Sequence, residues 1–130
     1  MTREVVRVPG ISQALEKAGV PLSAAIKAGG LVFVSGTPPI DLETGALVSG
    51  DIAKQTETCL EGLKASLEAA GSSLAKVVKV TIYASNSAYY GTINKVYARY
   101  FPNEPPARTF VTVASWPMEF DIEIDCTAIV

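Results

Sequence analysis

The stretch AGGLVFVSG at residues 28–36 begins with a turn signal and continues as an apolar run. Gly29 and Gly30 favour a tight turn, because glycine adopts positive φ without a steric cost. Residues 23–27, before the turn, provide a partner strand. The stretch therefore predicts an antiparallel hairpin whose second strand is residues 31–35.

The second strand of this hairpin is apolar on both faces, since residues 31–34 are Leu, Val, Phe and Val. Successive side chains of a strand point to opposite faces, so such a strand favours burial on both sides. We expect the same face of other copies to cover the side that the chain's own helices leave open, which predicts a closed homo-oligomer. Burial by loops of the same chain is the alternative.

The rest of the sequence alternates strand and helix patterns without a linker, which predicts a single domain over residues 1–130. Helical spacing of apolar residues predicts two helices, at 52–70 and 87–101. The order β, ββ, α, β, α, ββ predicts an α+β domain with both helices packed on one face of the sheet. Besides the hairpin, the predicted strands are residues 4–8, 77–84, 108–113 and 120–129, with an edge strand at 46–48.

The sequence also predicts the ends of the first helix and one buried strand face. Asp51 is expected to cap the first helix, and Gly71 is expected to end it. Alternation along the strand 77–84 is expected to place Val78, Val80 and Ile82 on the same face.

Composition disfavours several classes of function. The formal net charge is −2 and no block of Lys and Arg is long enough to follow a phosphate backbone, so nucleic acid is not an expected partner. Cys59 and Cys126 are far apart and the chain has no histidine, so we expect two reduced, buried thiols rather than a metal site or a disulfide. No segment reaches transmembrane length, so a membrane is not an expected partner and the expected location is the cytoplasm.

The candidate site combines an arginine with a run of carboxylates. The motif Pro-Pro-Ala-Arg ends at Arg108, near the start of one predicted strand. In the next strand, 120–129, alternation places Asp121, Glu123 and Asp125 on one face. Three carboxylates on one face require solvent or a nearby cation, and Arg108 could be that cation. A solvated charged face of an edge strand is the alternative.

Arg108 also suits an acidic ligand, because a planar guanidinium binds a carboxylate through two parallel hydrogen bonds and always keeps its charge. A general base in a chain without histidine has to be a carboxylate, a lysine or a tyrosine. Partial burial would raise the pKa of a carboxyl group and so strengthen it as a base. Glu123 is therefore the candidate base.

Five segments resemble the RidA family (reactive intermediate deaminase A, also called the YjgF family), in the family's order and over nearly the whole chain. They are AGGLVFVSG, EAAGSSL, NKVYARYF, PPAR and IEI, at residues 28–36, 68–74, 94–101, 105–108 and 122–124. The resemblance implies a chorismate-mutase-like fold with a mixed sheet, and a trimer with ligand clefts between subunits. It also implies hydrolysis of enamine and imine intermediates, made by pyridoxal-phosphate enzymes, to 2-oxo acids and ammonia without a cofactor.

The resemblance assigns roles to residues at matching motif positions. Arg108 would clamp the substrate carboxylate, and Glu123 would orient or activate the attacking water. Ser35 and Gly36 would line the cleft, and Asn94 would lie near it. The scheme is chemically reasonable, because an imine carbon is already electrophilic and needs mainly positioning and proton management.

The chain departs from the family prototype at three positions. Leu22 stands where the prototype has a tyrosine, so a phenol that helps to orient substrate or water is missing. Thr37 replaces a glutamine, and Phe110, expected on the same side as Arg108, replaces a frequent cysteine. These changes make the expected pocket more apolar. The alternatives are a deaminase of the larger dicarboxylic enamine 2-aminomuconate, and a non-catalytic trimer that binds small carboxylates.

Overall fold

The protein is described here by a computed structural model, which covers residues 2–130. It contains one six-stranded sheet and three α-helices. No helix within residues 2–130 is both long enough and apolar enough to cross a bilayer. In chain order the elements are β1 (Glu4–Val6), α1 (Ile11–Ala18), β2 (Ala25–Ala28), β3 (Leu31–Thr37), α2 (Ile52–Ala69), β4 (Val77–Ala84), α3 (Tyr90–Tyr100), β5 (Ala107–Thr112) and β6 (Ile122–Ile129).

The strands follow the order β1-β2-β3-β6-β4-β5 across the sheet. Only β4 and β5 are parallel, and every other neighbouring pair is antiparallel. The sheet is therefore mixed, and the α+β fold class is confirmed. The predicted hairpin is β2 and β3, joined at Gly29 and Gly30, whose φ angles of 58° and 77° require glycine.

Helix α2 begins and ends where the sequence predicts. The Asp51 carboxylate accepts a hydrogen bond from the Ala53 amide at 2.9 Å, and Gly71 follows the helix with φ of 81°. The helix packs against β3, β6 and α3. Its fully buried side chains include Cys59, Leu60, Leu63 and Leu67.

Helix α3 follows a short 3₁₀ helix, Ser87–Tyr89, and lies beside α2. Ile93, Val96 and Tyr97 are buried, whereas Tyr89 and Tyr100 at its two ends are only partly buried. Helices α2 and α3 enclose the main core against one face of the sheet.

Helix α1 was not predicted. It has eight residues, of which only Ile11 and Ser12 are buried, so it is too short to show a repeated apolar stripe. Its first turn also explains why β1 ends at Val6 rather than at residue 8. The Val8 amide donates to the Ser12 hydroxyl at 2.8 Å instead of to a neighbouring strand.

Two predictions about strands were wrong. Residues 46–48 form no edge strand, because Leu47 makes only an isolated bridge with Ile40. In β4 a bulge between Val77 and Lys79 shifts the alternation. Val77 is therefore buried together with Val80, Ile82 and Ala84. Val78 is instead 42% exposed.

The face of the sheet opposite the helices has an exposed apolar region. Val5, Ile26 and Phe33 are neighbours across β1, β2 and β3, and Val5 and Phe33 are 59% and 46% exposed. Val32 and Val34, on the other side of β3, are buried. Loops of the same chain therefore do not cover the second face of this strand, and that alternative is wrong.

Candidate functional site

Arg108 lies near the start of β5, the edge strand. Its guanidinium carbon is 4.9 Å from the centre of the Tyr97 ring and 5.6 Å from that of Tyr90. These distances suit cation–π attraction, and one Nη also donates to the Tyr90 hydroxyl at 3.4 Å. No carboxylate in the described part of the chain forms an ion pair with Arg108. Its charge is therefore held by aromatic rings and remains available to an anion.

A cavity of about 340 Å³ opens beside Arg108. Two buried polar atoms of its lining residues, the Asn94 carboxamide oxygen and the Tyr97 hydroxyl, have no hydrogen-bond partner within residues 2–130. Burial raises the pKa of Tyr97 to about 12, although Arg108 opposes the shift, so the phenol stays protonated. A cation beside unpaired polar groups is the arrangement expected for a small polar ligand. The remaining lining residues are Ala98, Phe101, Pro105 and Pro106.

Glu123 lies on the opposite, helix-free face of the sheet, near the start of β6. Burial, followed by the neighbouring charge of Asp125, raises the pKa of the Glu123 carboxyl group. The Asp125 carboxylate accepts a hydrogen bond from the Tyr83 hydroxyl at 2.9 Å, whereas the Glu123 carboxylate accepts none within residues 2–130. A partly buried carboxylate with a raised pKa is suited to accept a proton near neutral pH.

A bulge in β3 places Gly36 directly against Glu123. The register shifts between Val34 and Thr37, and a Cβ atom built on Gly36 would lie 2.2 Å from the Glu123 carboxylate. Only glycine therefore leaves the carboxylate where it is. Ser35 completes this region, and its hydroxyl donates to the Ser23 carbonyl at 2.6 Å.

Arg108 and Glu123 do not meet within one chain. Arg108 is paired through β4 with Val80, whose side chain is buried under the helices, whereas Glu123 is paired with Tyr83 on the other face. The expectation that Arg108 neutralises the acidic face of its own chain is therefore wrong. Phe110 does share the side of Arg108, as alternation predicted, and its ring meets Tyr90 edge-on at 5.0 Å.

Asp121 is held by structural contacts. Its carboxylate accepts hydrogen bonds from the Gln55 amide at 3.0 Å and from the Ser85 hydroxyl at 2.9 Å. Its own amide donates to Gln55 at 2.8 Å, and β6 begins at Ile122, two residues later than predicted. Of the three acidic residues in this run, only Glu123 remains a candidate for proton transfer.

The other predicted site residues lie apart. Leu22 is 46% exposed and precedes β2, near the edge of the sheet opposite to β5. Thr37 is 4% exposed, its hydroxyl donates to the Ser35 carbonyl, and its methyl group faces Gly62 of α2. The expectation that Thr37 makes the pocket surface more apolar is therefore wrong, since its side chain belongs to the core.

The contacts of two tyrosines with Arg108 were not predicted from the sequence. Neither Tyr97 nor Tyr90 was among the predicted site residues. Positions 90, 94 and 97 follow the i, i+4, i+7 spacing of one helix face. That spacing was the available signal that Tyr90, Asn94 and Tyr97 share the side of α3 next to β5.

Comparisons with known proteins agree with this architecture. The family model described as Endoribonuclease L-PSP matches residues 11–130. A RutC family protein of Pyrococcus horikoshii is 48% identical over 108 residues, which are 83% of this chain and 86% of that protein. Reactive Intermediate Deaminase A, chloroplastic, of Arabidopsis thaliana is 44% identical over 108 residues, which are 83% of this chain and 58% of that protein.

A solved structure supports the same relationship. The Rid family protein YyfA of Yersinia pestis superimposes with a TM-score of 0.90 at 35% identity, covering 99% of this chain and 100% of that one. The family model matches residues 11–130, and the three relatives are 48%, 44% and 35% identical to the chain. The chain therefore belongs to the YjgF/RidA family.

Proposed function

We propose that this protein is a cofactor-independent deaminase that hydrolyses 2-imino acids and their enamine tautomers to 2-oxo acids and ammonia. Membership of the YjgF/RidA family and the similarity to a Reactive Intermediate Deaminase A support an imine deaminase role in general. The observation that carries the proposal for this chain is Arg108, a guanidinium without an ion-pair partner in the described chain, beside a cavity with unpaired polar atoms.

In the proposed reaction Arg108 binds the substrate carboxylate through its planar fork and holds the adjacent imine carbon in place. Water attacks that carbon while Glu123 accepts one of its protons. Glu123 returns this proton to the imine nitrogen, which gives a neutral carbinolamine. Glu123 then takes the proton of the carbinol hydroxyl and passes it to the nitrogen as the C–N bond breaks, so the carbonyl forms and ammonia leaves. The raised pKa of Glu123 supports its role as the base, because a more basic carboxylate takes a proton from water more readily.

The complete site requires a second copy of the chain, because Arg108 and Glu123 lie on opposite faces of the sheet. We propose a homotrimer in which the β5 edge of one copy meets the open sheet face of its neighbour. The exposed side chains of Val5 and Phe33, together with the 51% exposed Ile129, provide apolar surface for such contacts. Ser35 and Gly36 would then line the cleft from the side of Glu123, and Asn94 from the side of Arg108.

The deaminase proposal is tested by ammonia release from 2-iminopropionate generated in solution. Equal rates with and without the protein, over short and long imino acids, would reject it. Arg108→Ala should lose most of the activity and keep the oligomeric state. Arg99→Ala is the matched control, because Arg99 is an exposed arginine of α3 whose contact is an ion pair with Glu57.

The shared site is tested by mixing inactive variants. Arg108→Ala and Glu123→Gln chains, refolded together in equal amounts, should regain about one quarter of the wild-type activity, because one interface in four then pairs an intact arginine with an intact glutamate. No recovery in a mixture shown to contain hybrid oligomers would place both residues in one subunit's site.

Two alternative functions have specific observations in their favour. The aromatic surface that Phe110 and Tyr90 form beside Arg108 favours a larger substrate, such as the dicarboxylic enamine 2-aminomuconate. Leu22 favours a trimer that binds carboxylates without catalysis, because a leucine side chain cannot donate a proton. Glu123→Gln separates binding from hydrolysis, since a binding site should keep its carboxylate affinity while a hydrolase loses turnover.

A further inference from the structure

Tyr90 presents an accessible hydroxyl beside the proposed carboxylate clamp. The residue is 47% exposed, although it begins helix α3 and its ring is fixed edge-on against Phe110. Its oxygen is 3.4 Å from an Nη atom of Arg108. The phenol is therefore held in position by an aromatic contact and reaches the same space as the guanidinium.

The direction of this hydrogen bond leaves the Tyr90 proton available. A guanidinium only donates, so the Tyr90 oxygen must be the acceptor in its contact with Arg108. The O–H group of Tyr90 then points elsewhere, and it has no acceptor among the hydrogen bonds of residues 2–130. A ligand carboxylate bound by Arg108 would bring acceptor oxygens to this place.

The resemblance to the RidA family implies a phenol at the position of Leu22, whose side chain cannot donate a proton. Leu22 lies near the edge of the sheet opposite to β5, so in one chain it is far from Arg108. We propose that the Tyr90 hydroxyl donates a hydrogen bond to the substrate held by Arg108, and so supplies from α3 the phenol that is missing at position 22. The proposal rests on the function proposed above for this site.

The test compares Tyr90→Phe with Tyr89→Phe. Tyr90→Phe removes one oxygen atom and keeps the ring on Phe110 and its face toward Arg108, so a purely structural role for Tyr90 would be preserved. Tyr89 is the adjacent tyrosine, just before α3, and contacts the core, so its variant controls for loss of a phenol in this region. Two quantities are measured in each protein, kcat/KM for ammonia release and the Kd for 2-oxobutanoate by titration calorimetry.

We expect Tyr90→Phe to lower kcat/KM and to weaken 2-oxobutanoate binding by about tenfold each, as loss of one hydrogen bond to a charged group predicts. Tyr89→Phe should match the wild type in both. Wild-type values in Tyr90→Phe, or an equal loss in Tyr89→Phe, would overturn the proposal. If the wild type binds 2-oxobutanoate but releases no ammonia, the deaminase function fails while the Kd comparison still decides the role of Tyr90.

Discussion

Gly36→Ala should inactivate the protein without unfolding it. The new Cβ would lie 2.2 Å from the Glu123 Oε1, 2.9 Å from its Cδ and 3.3 Å from its Cγ. Non-bonded carbon and oxygen atoms need roughly 3.5 Å, so the carboxylate must move by more than about 1 Å. The atoms that move are the end of a flexible side chain, and Gly36 is not among the glycines with positive φ. The backbone can therefore accept alanine.

The two expected effects have very different sizes. Displacement of a catalytic group by about 1 Å costs on the order of 100-fold in rate, so kcat/KM for ammonia release should fall about 100-fold. Stability should change by less than about 1 kcal/mol, because the entropy gain from replacing glycine, about 0.4–1 kcal/mol, offsets a strained glutamate rotamer of about 0.5–1.5 kcal/mol. Urea unfolding at fixed protein concentration measures the second quantity.

Gly91→Ala is the matched control for this variant. Gly91 lies in α3, its φ is not positive, and a Cβ built on it meets nothing within 4 Å. It should keep wild-type activity and gain up to about 1 kcal/mol of stability, as replacement of a helical glycine predicts. Wild-type kcat/KM in Gly36→Ala would refute the reasoning, because the position of the Glu123 carboxylate would then not matter for turnover.

Three further predictions concern stability. Glu123→Gln should raise the urea midpoint at pH 7 but not at pH 3. Burial and then Asp125 raise the pKa of Glu123, so ionisation of Glu123 destabilises the folded state. This destabilisation is absent at low pH and appears as the pH rises through the pKa of Glu123 in the folded protein. Gln55→Ala should lower the free energy of unfolding by about 2–4 kcal/mol in urea titrations, because it leaves the backbone amide and one carboxylate oxygen of Asp121 unpaired. A loss below about 0.5 kcal/mol would contradict this. Asp51→Ala should cost about 1 kcal/mol in the same assay, and Asp51→Asn much less.

Elements with a strong period were predictable from sequence. In β6 the even positions from Ile122 to Ala128 are buried and the odd positions between them are partly exposed, because a regular strand converts alternation directly into burial. Helix α2 was equally clear, since Asp51 marks its start and an apolar stripe runs along its length. In both elements the local pattern and the tertiary packing agree.

The bulges were not predictable in the same way. A bulge adds one residue to a strand, and it is fixed by pairing with a neighbour rather than by the local sequence. In β4 this moved Val78 from the expected buried face to solvent, and in β3 it set Gly36 against Glu123. A shift of one residue reverses every side chain beyond it, so alternation within one strand predicts faces only up to the next bulge.

The sequence suggests a chemistry for the candidate site but does not give the placement of its residues. Arg108 and Glu123 were chosen because of what a guanidinium and a partly buried carboxylate can do. Alternation gives the two faces of each strand separately, but it does not say which face of β5 corresponds to which face of β6. That correspondence depends on the pairing of both strands with β4, which the sequence alone does not specify.

The separation of Arg108 and Glu123 in one chain has a chemical consequence. An ion pair between them would lower the pKa of Glu123 and weaken it as a base, and it would occupy the guanidinium that we propose binds the substrate. Because the sheet lies between them, Arg108 does not lower the pKa of Glu123. Burial and then Asp125 raise that pKa, and the rings of Tyr90 and Tyr97 hold Arg108. In the proposed trimer the two groups would face each other across a cleft, where the substrate, rather than Glu123, neutralises the arginine.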